Sequence, residues 1–167
     1  MFDDHLKIMT MLKEAGEVVG RKKLQKMVFI AKKLNFPFQE KYQFHFYGPY
    51  SEELTLRIEE LCNLGFLQEE KEKVSGYSQY RYSLNEEGDR LASSFGKEIA
   101  GLGECVRSMN EQPSRFLELV STIMFFDKLS KEQVIEKVHI VKAKLKYSDE
   151  EIQDAFQYIQ ALSDMKQ

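Results

Sequence analysis

Residues 21–33 hold six basic side chains, Arg21, Lys22, Lys23, Lys26, Lys32 and Lys33, and no acid, so this stretch carries a charge of +6. Among them Leu24, Met27, Val28, Ala31 and then Leu34 recur at three- and four-residue steps, the spacing of one helical face. That pattern predicts an amphipathic helix from about Arg21 to Leu34, with its apolar stripe on a core and its cations elsewhere. Asn35, Phe36 and Pro37 end it, because proline disfavours helical geometry in the residue before it. On a helical wheel Lys22, Lys26 and Lys33 fall within a narrow arc with Phe29 beside them, which predicts a basic stripe able to meet phosphates or an acidic surface.

The flanking segments constrain the topology. Leu6, Met9 and Leu12 predict a helix over 3–15, closed by Gly16. From Tyr42 to Phe46 the period changes to two, with Tyr42, Phe44 and Phe46 on one side and Gln43 and His45 on the other, as in a half-buried strand. Gly48-Pro49 reads as its end, and Tyr47-Gly48-Pro49-Tyr50-Ser51 as a strand-to-helix junction. Ser51 is placed as an N-cap, with Glu52 and Glu53 at the positive end of the helix dipole. Leu54, Ile58, Leu61 and Cys62 form that helix's apolar face, and Gly65 closes it. Residues 66–73 and 79–84 then read as two strands around Ser75-Gly76, with Tyr80, Tyr82 and Leu84 alternating with Gln79, Arg81 and Ser83. Helix, helix, strand, helix, hairpin is the order of a winged helix.

Asn85 caps a long helix reaching toward residue 110, along which Leu91, Phe95, Ile99, Leu102, Val106 and Met109 recur close to a heptad seam. Gly96, Gly101 and Gly103 weaken it by about 1 kcal/mol each, so a bend or break is expected near Ala100. The Leu91–Met109 seam has two fates, packing under the C-terminal helices or pairing with a second copy as a homodimer. Pro113 opens a third section of short helices. Phe116, Leu119, Val120 and Ile123 mark one, and capping boxes at Ser130/Gln133 and Ser148/Glu151 start two more. The expected fold is mainly α with a small β-hairpin (α+β). A winged-helix-like domain over 1–84 is followed by a linker helix over 85–112 and a C-terminal helical module over 113–167.

The pattern Gly20-x-x-x-Leu24-Gln25-Lys26-Met27-x-Phe29, with Phe46-Tyr47-Gly48-Pro49-Tyr50-Ser51 downstream, resembles the YwgA-like proteins of bacteria. Val134-Ile135-Glu136-Lys137-Val138 and Tyr147-Ser148-x-x-Glu151-Ile152-x-x-Ala155-Phe156 extend the resemblance over most of the chain. More distantly, the Leu-Gln-Lys helix and Tyr-Gly-Pro junction are similar to the Panacea (SocA-like antitoxin) domain. That likeness implies antitoxin or adaptor roles exercised through protein contacts. Panacea proteins often lack a clear wing, whereas this chain has a good hairpin candidate.

Charge narrows the function. With a net charge of −3, the chain lacks the basic surplus of a non-specific nucleic-acid binder. In a standard winged helix the helix before the wing enters the groove, and here that helix carries Glu52, Glu53, Glu59 and Glu60 against Arg57. A protein partner is therefore the leading expectation, and a DNA- or RNA-binding transcriptional regulator using the basic second helix is the alternative. The residues placed in contact with the partner are Lys22, Lys26, Phe29 and Lys33, with Tyr47 and Tyr50, the two phenols that flank Gly48-Pro49. No catalytic, cofactor-binding or metal-binding residue is expected. His5, His45 and His139 lie on separate elements, no glycine-rich loop precedes a basic helix, and no nucleophile has an identifiable base. Cys62 and Cys105 read as free thiols in apolar helical patterns. No apolar run approaches the roughly 20 residues of a membrane span. The start Met-Phe-Asp-Asp-His is too acidic for a targeting peptide, so the cytoplasm is the expected compartment. The winged-helix order with its acidic third helix leads to the expectation of a non-catalytic regulatory or adaptor protein.

Overall fold

The computed structural model describes residues 2–166. It is a mixed α+β chain with eight α-helices and two small antiparallel sheets among the described residues. The first half runs α1 (Asp3–Ala15), β1 (Val18–Val19), α2 (Arg21–Lys33), β2 (Gln43–His45), β3 (Gly48–Tyr50), α3 (Glu52–Asn63), β4 (Leu67–Val74) and β5 (Tyr77–Leu84). The second half is helical: α4 (Glu86–Phe95), α5 (Leu102–Glu111), α6 (Ser114–Phe125), α7 (Lys131–Val141), a single 3-10 turn (Ala143–Leu145) and α8 (Asp149–Lys166).

Strands β4 and β5 form the expected hairpin, with Leu67 opposite Leu84 and Val74 opposite Tyr77. Ser75 and Gly76 both have positive φ, +48° and +86°, as the mirror-image turn of a two-residue hairpin requires. The sheet has a third strand that the sequence pattern does not announce. Val18 and Val19 pair with Tyr82 and Arg81, giving the order β1-β5-β4. Two residues are too short to display a period.

The second sheet corrects the reading of 42–51. Gly48-Pro49 does not end a strand; it lies within β3, which folds back on β2 with Gln43 opposite Tyr50, Phe44 opposite Pro49 and His45 opposite Gly48. Proline is tolerated because alternate pairs of an antiparallel ladder exchange no hydrogen bond, and Pro49 occupies the middle pair. Phe46 consequently sits in the turn and is 75% exposed instead of sharing the inner face with Tyr42 and Phe44.

The caps fall where their residues predict. Ser51 Oγ accepts from Leu54 N at 3.1 Å and Asn85 Oδ1 accepts from Gly88 N at 2.8 Å. Both capping boxes form, at Ser130/Gln133 and Ser148/Glu151. The long helix expected from Asn85 is instead two, separated by Gly96 in an extended conformation and Gly101 in a left-handed one at φ +80°. Leu102, Val106 and Met109 are fully covered by the chain itself, while Phe95 stands exposed.

Helix α2 is the centre of the molecule. It packs on α6, α5 and β3, while α1 packs on α4, α5 and β5. Every residue from Leu24 to Ala31 is buried, so a helix expected to be amphipathic is covered on all sides along its middle. One continuous hydrophobic cluster joins Ile8 and Leu12 of α1, Met27 and Ile30 of α2, Leu61 of α3, Val106 of α5, Val120 of α6 and Leu162 of α8.

Candidate functional site: a basic cavity behind an aromatic hairpin tip

The geometry begins at Gln25, a polar residue in the buried stretch of α2. Its Nε2 donates to the Ser51 carbonyl at 2.9 Å and to Thr55 Oγ1 at 3.0 Å, and its Oε1 accepts from Ser51 N at 2.8 Å. The side chain thereby binds both backbone groups of the residue that caps α3. Tyr42 Oη adds a bond to the Gln25 carbonyl at 3.3 Å. The Leu-Gln-Lys and Tyr-Gly-Pro-Tyr-Ser segments are thus two halves of one construction. Leu24 enters the core, Gln25 pins the junction, and Lys26 faces the space that the junction leaves.

That space consists of two cavities with a shared wall. One, of about 550 Å³, lies between α2, β3 and α3, with Gln25, Tyr50, Thr55, Ile58, Glu69 and Tyr82 in its lining. The other, of about 980 Å³, opens between the start of α2, the β2–β3 turn, the start of α6 and residues 140–145. Arg21, Lys22, Lys26, His45, Phe46 and Tyr47 line both. Lys22 Nζ lies 3.1 Å from the centre of the Tyr47 ring, a cation–π contact that forms part of this wall. Tyr50 stacks on His45 at 4.9 Å and its hydroxyl meets Thr55 Oγ1 at 2.9 Å.

The larger cavity is basic in a chain whose net charge is −3. Arg21, Lys22, Lys23, Lys26, Arg115, Lys142 and Lys144 line it, against the single carboxylate of Glu118. Several of these cations are already engaged. Arg115 forms a two-pronged pair with Glu151 at 3.0 and 3.1 Å, Lys23 donates to the Asn110 carbonyl at 2.6 Å, and Arg21 lies over Tyr80 and donates to Tyr82 Oη at 3.0 Å. Lys142 Nζ lies 3.1 Å from Glu118 Oε2 and donates to the Phe46 carbonyl at 2.9 Å, so α6 and the hairpin tip both hold it.

Lys26 is different. It is 2% exposed, its ammonium has one long hydrogen bond, to the Lys22 carbonyl at 3.4 Å, and among the described residues it forms no ion pair. Burial lowers its pKa to about 8; the Glu118 carboxylate works against that shift, while Lys22 and Lys142 add to it. A residue expected on an exposed stripe is instead a buried charge without an adequate acceptor.

The other predicted contact residues divide. Lys22, Tyr47 and Tyr50 line the cavities, and Tyr47 is 51% exposed. Phe29 is in the core, edge-on to Tyr42 at 5.0 Å and close to Phe125. Lys33 is far down the helix in an ion pair with Asp127 at 2.6 Å. The stripe is broken up because α6 and the β2–β3 hairpin cover that side of α2. Gln25, Glu118, Lys142 and Lys144 are the residues that sequence reasoning missed. A glutamine amid apolar helix positions, and a lone carboxylate within Phe116-Leu117-Glu118-Leu119-Val120 of α6, are the signals they leave.

Among the described residues, no group of three or more His, Cys, Asp or Glu side chains is arranged to hold a metal ion. No described helix is long and apolar enough to cross a membrane. Cys105 is buried and Cys62 half-buried, and burial raises the pKa of both thiols.

These features define a small α+β protein built round a central helix, with a basic cavity and an aromatic rim. No family model matches the chain, and the expected likeness to the Panacea domain is not shown. Over 162 residues, 97% of this chain and 98% of the relative, it is 56% identical to the uncharacterised protein YwgA of Bacillus subtilis (strain 168). The chain belongs to the YwgA-like family.

Proposed function

We propose that this is a non-catalytic regulatory or adaptor protein of the cytoplasm that binds another protein through the tip of the β2–β3 hairpin. The observation that carries the reading is the pair Phe46 and Tyr47, 75% and 51% exposed, side by side on a two-residue turn. Large exposed aromatics that packing does not require mark contact sites, since burying each removes substantial apolar area from water. Cations surround them: Lys22 on Tyr47, and Lys144 Nζ 6.0 Å from the Phe46 ring centre. Ile140 lies exposed on the same cavity wall. The partner surface that fits is an acidic segment with an apolar anchor.

The element order through β5, with sheet order β1-β5-β4, supports a winged-helix-like unit over 1–84, with the helices of 85–112 and 113–167 packed onto it. In that arrangement α3 occupies the groove-reading position. Its charges do not suit a phosphate backbone, because Arg57 is held by Glu40 and Asp4, leaving Glu52, Glu53 and Glu59, with Glu60 beside His5. The cations of α2 keep a DNA- or RNA-binding regulator as the alternative.

The test is a peptide-display selection on the full chain, with fluorescence anisotropy on mixed-sequence duplex DNA and single-stranded RNA across a salt series. Selected sequences combining Asp or Glu with an apolar residue, and losing affinity in Phe46→Ser, support the adaptor reading. Nucleic-acid binding that falls steeply with salt, with no peptide enriched, replaces it by the alternative. Lys22→Glu is the informative charge reversal, whereas Lys26→Glu would bury a carboxylate near Glu118 and disturb folding.

A further inference from the structure

We propose that the larger cavity binds the phosphoryl group of a small molecule, with the Lys26 ammonium as its innermost ligand. This goes beyond the protein-docking reading and does not depend on it.

The argument starts from the cost of Lys26. An ammonium withdrawn from water is tolerated when paired or fully hydrogen-bonded, and this one has a single acceptor at 3.4 Å. The methylene stem does not require a charged end, since methionine would fill similar space. The only carboxylate in the lining, Glu118, is already 3.1 Å from Lys142. Lys22 and Lys142, which line the same cavity, act on Lys26 as like charges, and Glu118 is the one carboxylate of the lining that acts against them. What is missing is negative charge with several acceptor oxygens.

A phosphoryl group fits that deficit better than a carboxylate. It carries close to two negative charges near pH 7 and presents three or more oxygens, so it can accept from several ammonium groups at once. The cavity, at about 980 Å³, is larger than inorganic phosphate needs, and it has apolar wall from Phe46, Tyr47 and Ile140. An organic phosphate can use both, with its anion at Lys26 and its body toward the hairpin tip. Two of the cations are already arranged for this. Lys22 is steadied over Tyr47, and Lys142 is held by the Phe46 carbonyl, so neither needs extensive reordering.

The experiment is calorimetric titration of the full chain at low ionic strength with inorganic phosphate, pyrophosphate and ATP, compared with Lys26→Met. Circular dichroism checks that both proteins are folded, and a neutral side chain at a buried site is expected to keep the variant folded. Binding of at least one of the three, weakened about tenfold or more in Lys26→Met, is the expected result. Pyrophosphate alone identifies the inorganic anion as the ligand chemistry, whereas a preference for ATP identifies an organic phosphate. Absence of binding by all three, or binding that Lys26→Met leaves unchanged, overturns the proposal. Lys26→Met also separates the two readings: it weakens phosphate binding while peptide docking through the exposed Phe46 and Tyr47 persists, so either can fail without the other.

Discussion

The two hairpins obey different rules. At the β4–β5 tip, Ser75 and Gly76 supply the two positive φ angles that a tight hairpin turn demands, and the ladder behind them is eight residues long. At the β2–β3 tip, Phe46 and Tyr47 have ordinary φ, and the left-handed residue is Gly48 at +99°, one position later. Three pairs make up that ladder. An isolated two-stranded hairpin this short is not stable in water. It stands because Gln25 holds its far end, Lys142 bonds the Phe46 carbonyl at its tip, and Phe44 packs on Phe125 and Phe126. The long hairpin therefore has a tip suited to turning, whereas the short one has a tip suited to what it displays. Local rules that fail without structural need mark the places where function has a claim.

Removing the support breaks this contrast most severely. Gln25→Ala takes away three hydrogen bonds and leaves Ser51 N without a partner, and is expected to cost about 3 kcal/mol in urea unfolding. A loss below about 1 kcal/mol would show that the short hairpin holds itself. Lys26→Met acts in the opposite direction and raises stability at pH 7 by up to about 3 kcal/mol, the value of a pKa lowered from 10.5 to about 8. The sign follows from linkage. Below pH 8 both folded and unfolded chains hold the proton and the penalty is complete; between pH 8 and 10.5 the unfolded chain holds more protons, so wild-type stability rises with pH from this group. The advantage of Lys26→Met should accordingly shrink across that window, and a constant gap would mean that Lys26 is not the titrating group.

The glycines sharpen the comparison at smaller effect. Gly48→Ala and Gly76→Ala each force a Cβ into left-handed backbone without a close clash, at about 1–2 kcal/mol each by thermal unfolding. Their stabilities should match while only Gly48→Ala alters peptide or pyrophosphate affinity. Smallest of all, Phe46→Ser is expected to change stability by less than about 0.5 kcal/mol. A larger change would mean that the aromatic tip serves the fold after all.

Sequence patterning reaches as far as local physics does. The caps of α3, α4, α7 and α8, the β4–β5 hairpin and the interruption between Gly96 and Gly101 are legible because side-chain chemistry within a few residues determines them. Strand β1 is illegible because two valines carry no period, and β3 because glycine and proline read as a break wherever they occur together. The site was half legible. Lys22, Tyr47 and Tyr50 stand beside the cavities, but the charges that act on Lys26 include Glu118 and Lys142, 92 and 116 positions away, and no periodicity within α2 encodes them. Phe29 and Lys33 share the wheel position of a stripe yet belong to the core and to an ion pair, because α6 lies on that side.

The clamp between Gln25 and Ser51 has a consequence for descent. A side-chain amide that both gives to and takes from one backbone unit has few substitutes: glutamate cannot donate, and lysine or methionine cannot do both. Change at position 25 and rearrangement of the chain near 51 must therefore travel together through a lineage, although 26 residues separate them. A search for distant kin gains discrimination by requiring both marks in one chain at a compatible separation, since either alone is a common string of residues.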